Sequence, residues 1–233
     1  MSVFVTGTDT GVGKTLVSAT LLAALNASGV HAVGMKPVAS GCNETPQGLR
    51  NDDALLLIEH SAGAPAYADV NPYALHEAIA PHLAAVTDGV QIRLDPLLAR
   101  FETLSTNAQC VVVEGVGGWA VPLSSALMQA DLVRELDLPV VLVVGLRLGC
   151  LNHALLSARA ITADGCRLAG WIGNRIDPSM ARADDNIAAL RALVPAPCLG
   201  ILPHAGAHDP RALAVHLRDA AAAIASSAYP PAP

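Results

Sequence analysis

The chain opens with a short apolar run, Ser2-Val-Phe-Val-Thr6, that passes straight into Gly7-Thr-Asp-Thr-Gly-Val-Gly-Lys-Thr15. A strand, a glycine-bearing turn and a Lys-Thr pair opening a helix form the layout of a nucleoside-triphosphate P-loop. Main-chain N–H groups of such a turn point inward and, with the positive end of the helix, make a nest for phosphate oxygens. Gly11 and Gly13 let the main chain approach the anion without a Cβ in the way. Lys14 is placed to reach the β and γ phosphates, and the Thr15 hydroxyl to ligate Mg²⁺. An ordinary strand-to-helix turn with an incidental lysine would not need all three parts in this order.

Two departures from the usual motif stand out. The first glycine is expected at position 8, but Thr8 stands there and the glycine comes one residue earlier, at Gly7. Dimeric ATPases of the partitioning and chaperone type carry an extra lysine near the start of this loop, where the chain has Asp9. A carboxylate there cannot supply a cross-subunit positive charge.

Further along, apolar runs alternate with amphipathic stretches. Strands are predicted at Ser2–Thr6, His31–Met35, Ala108–Glu114, Pro139–Val144, Leu168–Gly173 and Cys198–Leu202. Several are apolar on consecutive residues, as in strands covered on both faces of a parallel sheet. Helices are predicted at Lys14–Ser28, Asp53–Ser61, Asp95–Thr106, Ala130–Glu135, Asn152–Asp164, Arg182–Leu193 and Pro210–Ser226. The alternation implies an α/β fold: a doubly wound, mainly parallel sheet flanked by helices, of the P-loop NTPase type, with ligands at the carboxyl ends of the strands. The Ala- and Pro-rich region 62–91 reads as an irregular excursion with a short helix near Ala78–Val86. A single domain over residues 1–226 is expected, with a frayed, proline-rich tail at 227–233.

Composition narrows the setting. A chain of 233 residues, 52% apolar and 15% charged, suits one well-covered core. Its formal charge of −6 argues against nucleic acid or an anionic membrane as partner. Cys42, Cys110, Cys150, Cys166 and Cys198 are odd in number and show no C-x-x-C pairing, which favours reduced thiols. No signal peptide is visible, and the longest apolar run, Pro139–Leu146, is too short to span a bilayer. A soluble cytoplasmic protein is expected.

The second strand ends in Met35-Lys36-Pro37-Val38-Ala39-Ser40-Gly41. Pro37 disfavours helix for Lys36, so the lysine sits extended at the sheet edge that carries the P-loop. A solvent-exposed lysine after a strand is the commonplace alternative, and the Ser40-Gly41 that follows at once favours a binding loop. Asp53 opens a helix, where it is equally suited to capping and to holding a metal. Glu114 ends a buried strand and is followed by Gly115-Val-Gly117-Gly118, the place where P-loop enzymes hold Mg²⁺ or its water.

Five blocks in order closely resemble the dethiobiotin synthetase family: Val5–Thr15, Lys36–Gly41, Asn71-Pro-Tyr73, Glu114–Trp119 and Gly149–Ala154. The resemblance continues through Gly170-Trp171 and Asn174 to Pro195-Ala-Pro197 and Gly200, and so covers all but the tail. It implies that ATP, Mg²⁺ and CO2 convert 7,8-diaminononanoate into the cyclic urea of dethiobiotin, with release of ADP and phosphate. Carbamate and γ-phosphate are both anions and must meet, so such a site needs concentrated positive charge.

Carried onto this chain, the resemblance implies catalytic roles for Lys14, Lys36 and Thr10. Substrate contacts are implied at Thr10, Ser40, Gly149, Cys150, Leu151 and Asn152. Nucleotide contacts are implied at Gly11, Val12, Gly13, Lys14, Thr15, Leu16, Asp53, Glu114, Gly115, Val116, Gly117, Asn174, Arg175, Pro203, His204 and Ala205. Thr15, Asp53 and Glu114 are the implied metal ligands. The segment Gly149–His153 would reach across a two-fold interface to the substrate's carboxylate tail, which implies a homodimer. The chain departs from familiar members at Gly11, where an acidic residue is common, and at Asn186, where some members carry a tyrosine. A small-metabolite kinase and a partitioning-type ATPase are the competing expectations. The first gives no reason for pairing Lys36 with Ser40, and Asp9 counts against the second.

Overall fold

Strand β1 (Ser2–Gly7) leads through the P-loop into helix α1 (Lys14–Ala27), and β2 (Ala32–Met35) follows. An excursion then carries four short strands, β3 (Val38–Ala39), β4 (Asn43–Thr45), β5 (Gly48–Arg50) and β6 (Tyr73–Ala74). Helices α2 (Asp52–His60) and α3 (Tyr67–Val70) precede β6, and α4 (Pro81–Thr87) follows it. The alternation resumes with α5 (Leu94–Asn107), β7 (Cys110–Glu114), α6 (Gln129–Glu135), β8 (Val140–Gly145), α7 (Cys150–Ala163) and β9 (Leu168–Asn174). Helix α8 (Ala183–Leu193), β10 (Cys198–Leu202), α9 (Pro210–Leu213), a 3-10 turn at Ala214–Leu217 and α10 (Arg218–Ser226) complete it. The structure, a computed structural model, describes residues 1–204 and 209–226. Ala205 and the expected tail lie outside the described residues.

Six strands pair in parallel in the order β10-β9-β8-β1-β7-β2. The chain runs from central β1 to the β2 edge, returns through β7, and then crosses to β8. The carboxyl end of β1 therefore lies at the point where the winding reverses, which is where such sheets bind ligands. Both faces are covered, and this explains the consecutive apolar runs. Val3 and Val5 pack with Val17, Leu21 and Leu25 of α1 on one side. Phe4 packs on the other with Trp119, which meets it edge-on at 6.4 Å.

The six expected strands and the main helices all form, with ends shifted by one or two residues. Three differences are informative. The excursion at 62–91 is more ordered than its composition suggests, with α3, β6 and α4 in it. Helix α7 starts at Cys150 rather than Asn152, because Gly149 supplies a left-handed N-cap (φ 95°). The expected helix Pro210–Ser226 is interrupted by the 3-10 turn, where the His216 carbonyl and Leu217 press so closely on Gly200 of β10 that a Cβ there would lie 2.7 Å from the His216 oxygen.

Candidate active site

Three strand ends and one helix start converge. The P-loop follows β1, Lys36 follows β2, Glu114 ends β7, and Asp53 lies in the first turn of α2. The displaced first glycine has a steric reason. A Cβ at Gly7 would sit 2.7 Å from Val12 Cγ2 and 3.1 Å from Lys14 Cγ, so the loop closes over this residue rather than over Thr8. Gly13, left-handed at φ 86°, caps α1 and aims the helix's free N–H groups into the loop.

Lys36 is buried and its ammonium is fully engaged. Nζ donates to Glu114 Oε1 at 2.5 Å, Asp53 Oδ2 at 2.8 Å and the Gly115 carbonyl at 3.3 Å. The commonplace reading of a solvent-exposed lysine is thereby excluded. Burial opposes charge on this amine, but Glu114 and Asp53 together outweigh it and its pKa stands above the ordinary lysine value. For Asp53 burial also opposes charge, and Lys36 again outweighs it and holds the carboxyl below its usual range. Lys14 goes the other way: burial and the neighbouring Lys36 push it down to about 8. Its Nζ donates to the Asp9 carbonyl at 3.3 Å.

The Thr15 hydroxyl donates to Glu114 Oε1 at 2.9 Å, while the buried Glu114 Oε2 has no hydrogen-bond partner. An orphaned, buried carboxylate oxygen beside a hydroxyl and a second carboxylate suits a hard divalent cation. Mg²⁺ takes oxygen donors and typically uses one or two carboxylates together with water and substrate phosphate.

A cleft of about 370 Å³ brings together Thr10, Gly11, Gly13, Lys14, Thr15, Lys36, Ser40, Asp53, Val116 and Gly117. Asn51 also lines it and is the actual N-cap of α2, its Oδ1 accepting from Ala54 N–H, so capping does not fall to Asp53. Val12 is buried beneath the loop and Leu16 is half-buried in α1. The segment 149–152 is not among the residues lining this cleft. Cys150 is buried in the core, Leu151 packs partly against it, and Asn152 is exposed. Arg147 links the two regions by donating to Asp9 Oδ2 at 2.6 Å.

On the β9–β10 side, Asn174 Nδ2 donates to the Val12 carbonyl at 3.0 Å, bracing the P-loop from behind. The Arg175 side chain pairs with Asp184, and its carbonyl lies 2.8 Å from His204 Nδ1. Pro203 follows β10 and is half-buried. Asp177 Oδ1 accepts from both N–H and Oγ of Ser179, which is the local turn expected at Asp-Pro. Asn186 only caps back onto the Arg182 carbonyl.

Sequence reasoning missed Gln129. Buried in α6, it accepts from Val116 N–H at 2.8 Å and donates to the Gly118 carbonyl at 2.8 Å, holding the loop after Glu114 from behind. No local pattern marked it. Tyr67 and Asn71 were also missed as contributors to this region, although Asn71 lies in a block that carried the resemblance.

A phosphate-cradling loop on the central strand of a parallel sheet, with a lysine and two carboxylates around it, defines a P-loop nucleotide-binding protein. A family model described as an AAA domain matches residues 1–211. An ATP-dependent dethiobiotin synthetase BioD of Xanthomonas oryzae pv. oryzae is 60% identical over 200 residues, covering 86% of this chain and 89% of that protein. Its namesake from Xanthomonas campestris pv. campestris is 58% identical over 215 residues, covering 92% and 96%. The chain belongs to the ATP-dependent dethiobiotin synthetase family. The solved MinC:MinD cell division protein complex of Aquifex aeolicus matches with a TM-score of 0.59 at 16% identity, covering 98% of this chain and 97% of that one, a likeness of fold alone.

Proposed function

We propose that this member of the dethiobiotin synthetase family, an ATP-dependent ligase forming C–N bonds, closes the ureido ring of dethiobiotin from 7,8-diaminononanoate and CO2. The observation that carries the reading is the convergence of two buried lysines of different electrostatic character on one cleft. Lys36 is kept charged by two carboxylates, and Lys14 is pushed down to about 8, so that it loses its charge far more readily than an ordinary lysine in the absence of an anion. One substrate amine adds to CO2 as a carbamate. A carbamate oxygen takes the γ-phosphoryl group from ATP, and the second amine then attacks the carbonyl carbon and expels phosphate.

Lys14 draws the β and γ phosphates into the P-loop nest, and the anion in turn favours its protonated form. Lys36 and Lys14 offset the repulsion between carbamate and γ-phosphate and gain most as charge shifts during transfer. Thr10 and Ser40, which both line the cleft, hold the carbamate by hydrogen bonds. Thr15, Asp53 and Glu114 would hold Mg²⁺, which when bound neutralises phosphate charge. Gly117 and Val116 lie against the nucleotide, while Asn174, Pro203 and His204 face its base.

The turn at 149–152 lies outside the cleft formed within one chain, which supports its use by a second copy in a homodimer. Leu148 beside it is 94% exposed, consistent with burial by a partner. No helix among the described residues is long and apolar enough to cross a membrane, and a cytoplasmic setting fits the acidic, thiol-bearing chain. The test is phosphate release from ATP with diaminononanoate and bicarbonate each omitted in turn. Release should require both, and full release with either absent would replace the ligase with a kinase or a nucleotide switch.

A further inference from the structure

Lys36 and Asp53 belong to different elements, yet they meet at 2.8 Å, and a second path joins them from behind. The N–H of Asn51, the cap of the helix that carries Asp53, donates to Tyr67 Oη at 2.8 Å. Tyr67 Oη donates to Asn71 Oδ1 at 2.8 Å. Asn71 Nδ2 then donates to the Lys36 carbonyl at 2.7 Å and to the Tyr73 carbonyl at 3.2 Å. With Lys36 N–H donating to the Val70 carbonyl at 2.8 Å, both main-chain groups of Lys36 are tied to the α3 end. The Lys36–Asp53 ion pair closes the path into a ring. Asn71 is buried, and Arg50 stacks on the Tyr67 ring at 4.2 Å, which restrains the phenol.

We infer that Tyr67 and Asn71 are positioning residues that set the reach of the Lys36 ammonium by tying the Lys36 main chain to the start of α2. The inference rests on the assignment of Lys36 to the reacting anions. Neither residue lines the cleft, and each acts through another side chain. The ring is a lever because the buried Lys36 side chain is held by hydrogen bonds at both ends, its main chain and its terminal nitrogen. Releasing the carbonyl lets the Cα shift, and the shift, carried along the side chain, draws Nζ off its place between the carboxylates during transfer. Misplacement of a reacting group by about 1 Å is enough to lose roughly 100-fold in rate.

Tyr67→Phe deletes both bonds of the phenol and keeps the ring under Arg50. Asn71→Asp keeps the acceptor for Tyr67 and deletes the donor to Lys36. Each should lower single-turnover phosphate release in the full-length protein by roughly tenfold, with ATP affinity within about twofold of wild type. The decisive readout is a double-mutant cycle with Lys36→Ala. If the strut acts through Lys36, adding either change to Lys36→Ala should lower the residual rate by less than about twofold. Equal losses in both backgrounds, or no loss in wild type, would overturn the inference and leave Lys36 untouched. A Lys36→Ala protein with wild-type turnover would instead overturn both the assignment of Lys36 and the strut. Should one of the two variants fail to fold, the other gives the same cycle.

Discussion

Lys36 Nζ lies 2.5 Å from Glu114 Oε1, and the same ammonium reaches Asp53 at 2.8 Å, so the lysine stands between the two carboxylates proposed to hold Mg²⁺. A divalent ion on Glu114 Oε2 and this ammonium on Oε1 share the charge of the same two carboxylates. Removing the ammonium as Lys36→Met leaves the wholly buried Glu114 without its charged partner, which should lower stability by about 3–5 kcal/mol. Millimolar Mg²⁺ or Mn²⁺ should then raise the thermal midpoint of Lys36→Met more than that of wild type, and Mn²⁺ without nucleotide should bind the variant more tightly by electron paramagnetic resonance. Equal metal responses in the two proteins would place the metal elsewhere.

The depressed pKa of Lys14 gives a pH dependence with a definite sign. Burial and Lys36 bring it down to about 8, whereas bound phosphate favours the charged amine. Below pH 8 the charge is already present. Above it, ATP binding must take up a proton, so affinity should fall as pH rises. Between pH 7 and pH 9.5 metal-free ATP binding should weaken roughly ten- to thirtyfold, since each unit of pKa is worth about 1.4 kcal/mol. Titration calorimetry in buffers of different ionisation enthalpy should show proton uptake at the higher pH, and Lys14→Met should flatten the profile. A flat profile in wild type would show that the P-loop main chain, rather than Lys14, dominates binding.

Gln129 offers a test of how the loop after Glu114 is held. Gln129→Met keeps its bulk, strips the partner from Val116 N–H and leaves the Gly118 carbonyl to the longer bond from the Thr6 hydroxyl at 3.3 Å. Leaving that main-chain donor unpaired should lower unfolding stability by about 1–3 kcal/mol. Because Val116 and Gly117 line the cleft, KM for ATP should rise as well. Denaturant unfolding and steady-state kinetics check the two effects. A destabilised variant with unchanged KM would confine the glutamine to packing.

The strands were legible because burial on both faces leaves no polar alternation to misread, as Cys110–Glu114 and Val140–Gly145 show. The site's charged residues were legible one at a time. Pro37 marked Lys36 as a strand end, and the apolar run before Glu114 marked a carboxylate at the sheet edge. Their mutual contacts were not, since Asp53 and Glu114 lie 17 and 78 residues from Lys36 and no local pattern encodes pairing across such gaps. Tyr67 and Asn71 sit around a four-residue helix, too short for any periodicity to register. The cap of α2 fell to Asn51 rather than Asp53, a two-residue shift that left the carboxylate free for Lys36.

The base of the nucleotide provides the last prediction. Asn174-Arg-Ile-Asp177 resembles the Asn-Lys-x-Asp by which guanine is read, where a carboxylate accepts from the guanine N1 and N2 donors. Here Asp177 is already engaged by Ser179 N–H and Oγ at 2.9 and 2.7 Å, and those bonds hold its carboxyl below the ordinary value. Asn174 has one amide hydrogen on the Val12 carbonyl, which leaves Oδ1 to accept from an adenine amino group. ATP should therefore be preferred over GTP in kcat/KM, and Asp177→Ala should leave the ratio within about twofold, the scale of a change that removes no contact to substrate. Asn174→Ala should weaken ATP, GTP and tripolyphosphate alike through the unbraced P-loop, and ATP further through the lost base contact. A preference for GTP that Asp177→Ala abolishes would show that the carboxylate leaves its turn to read the base.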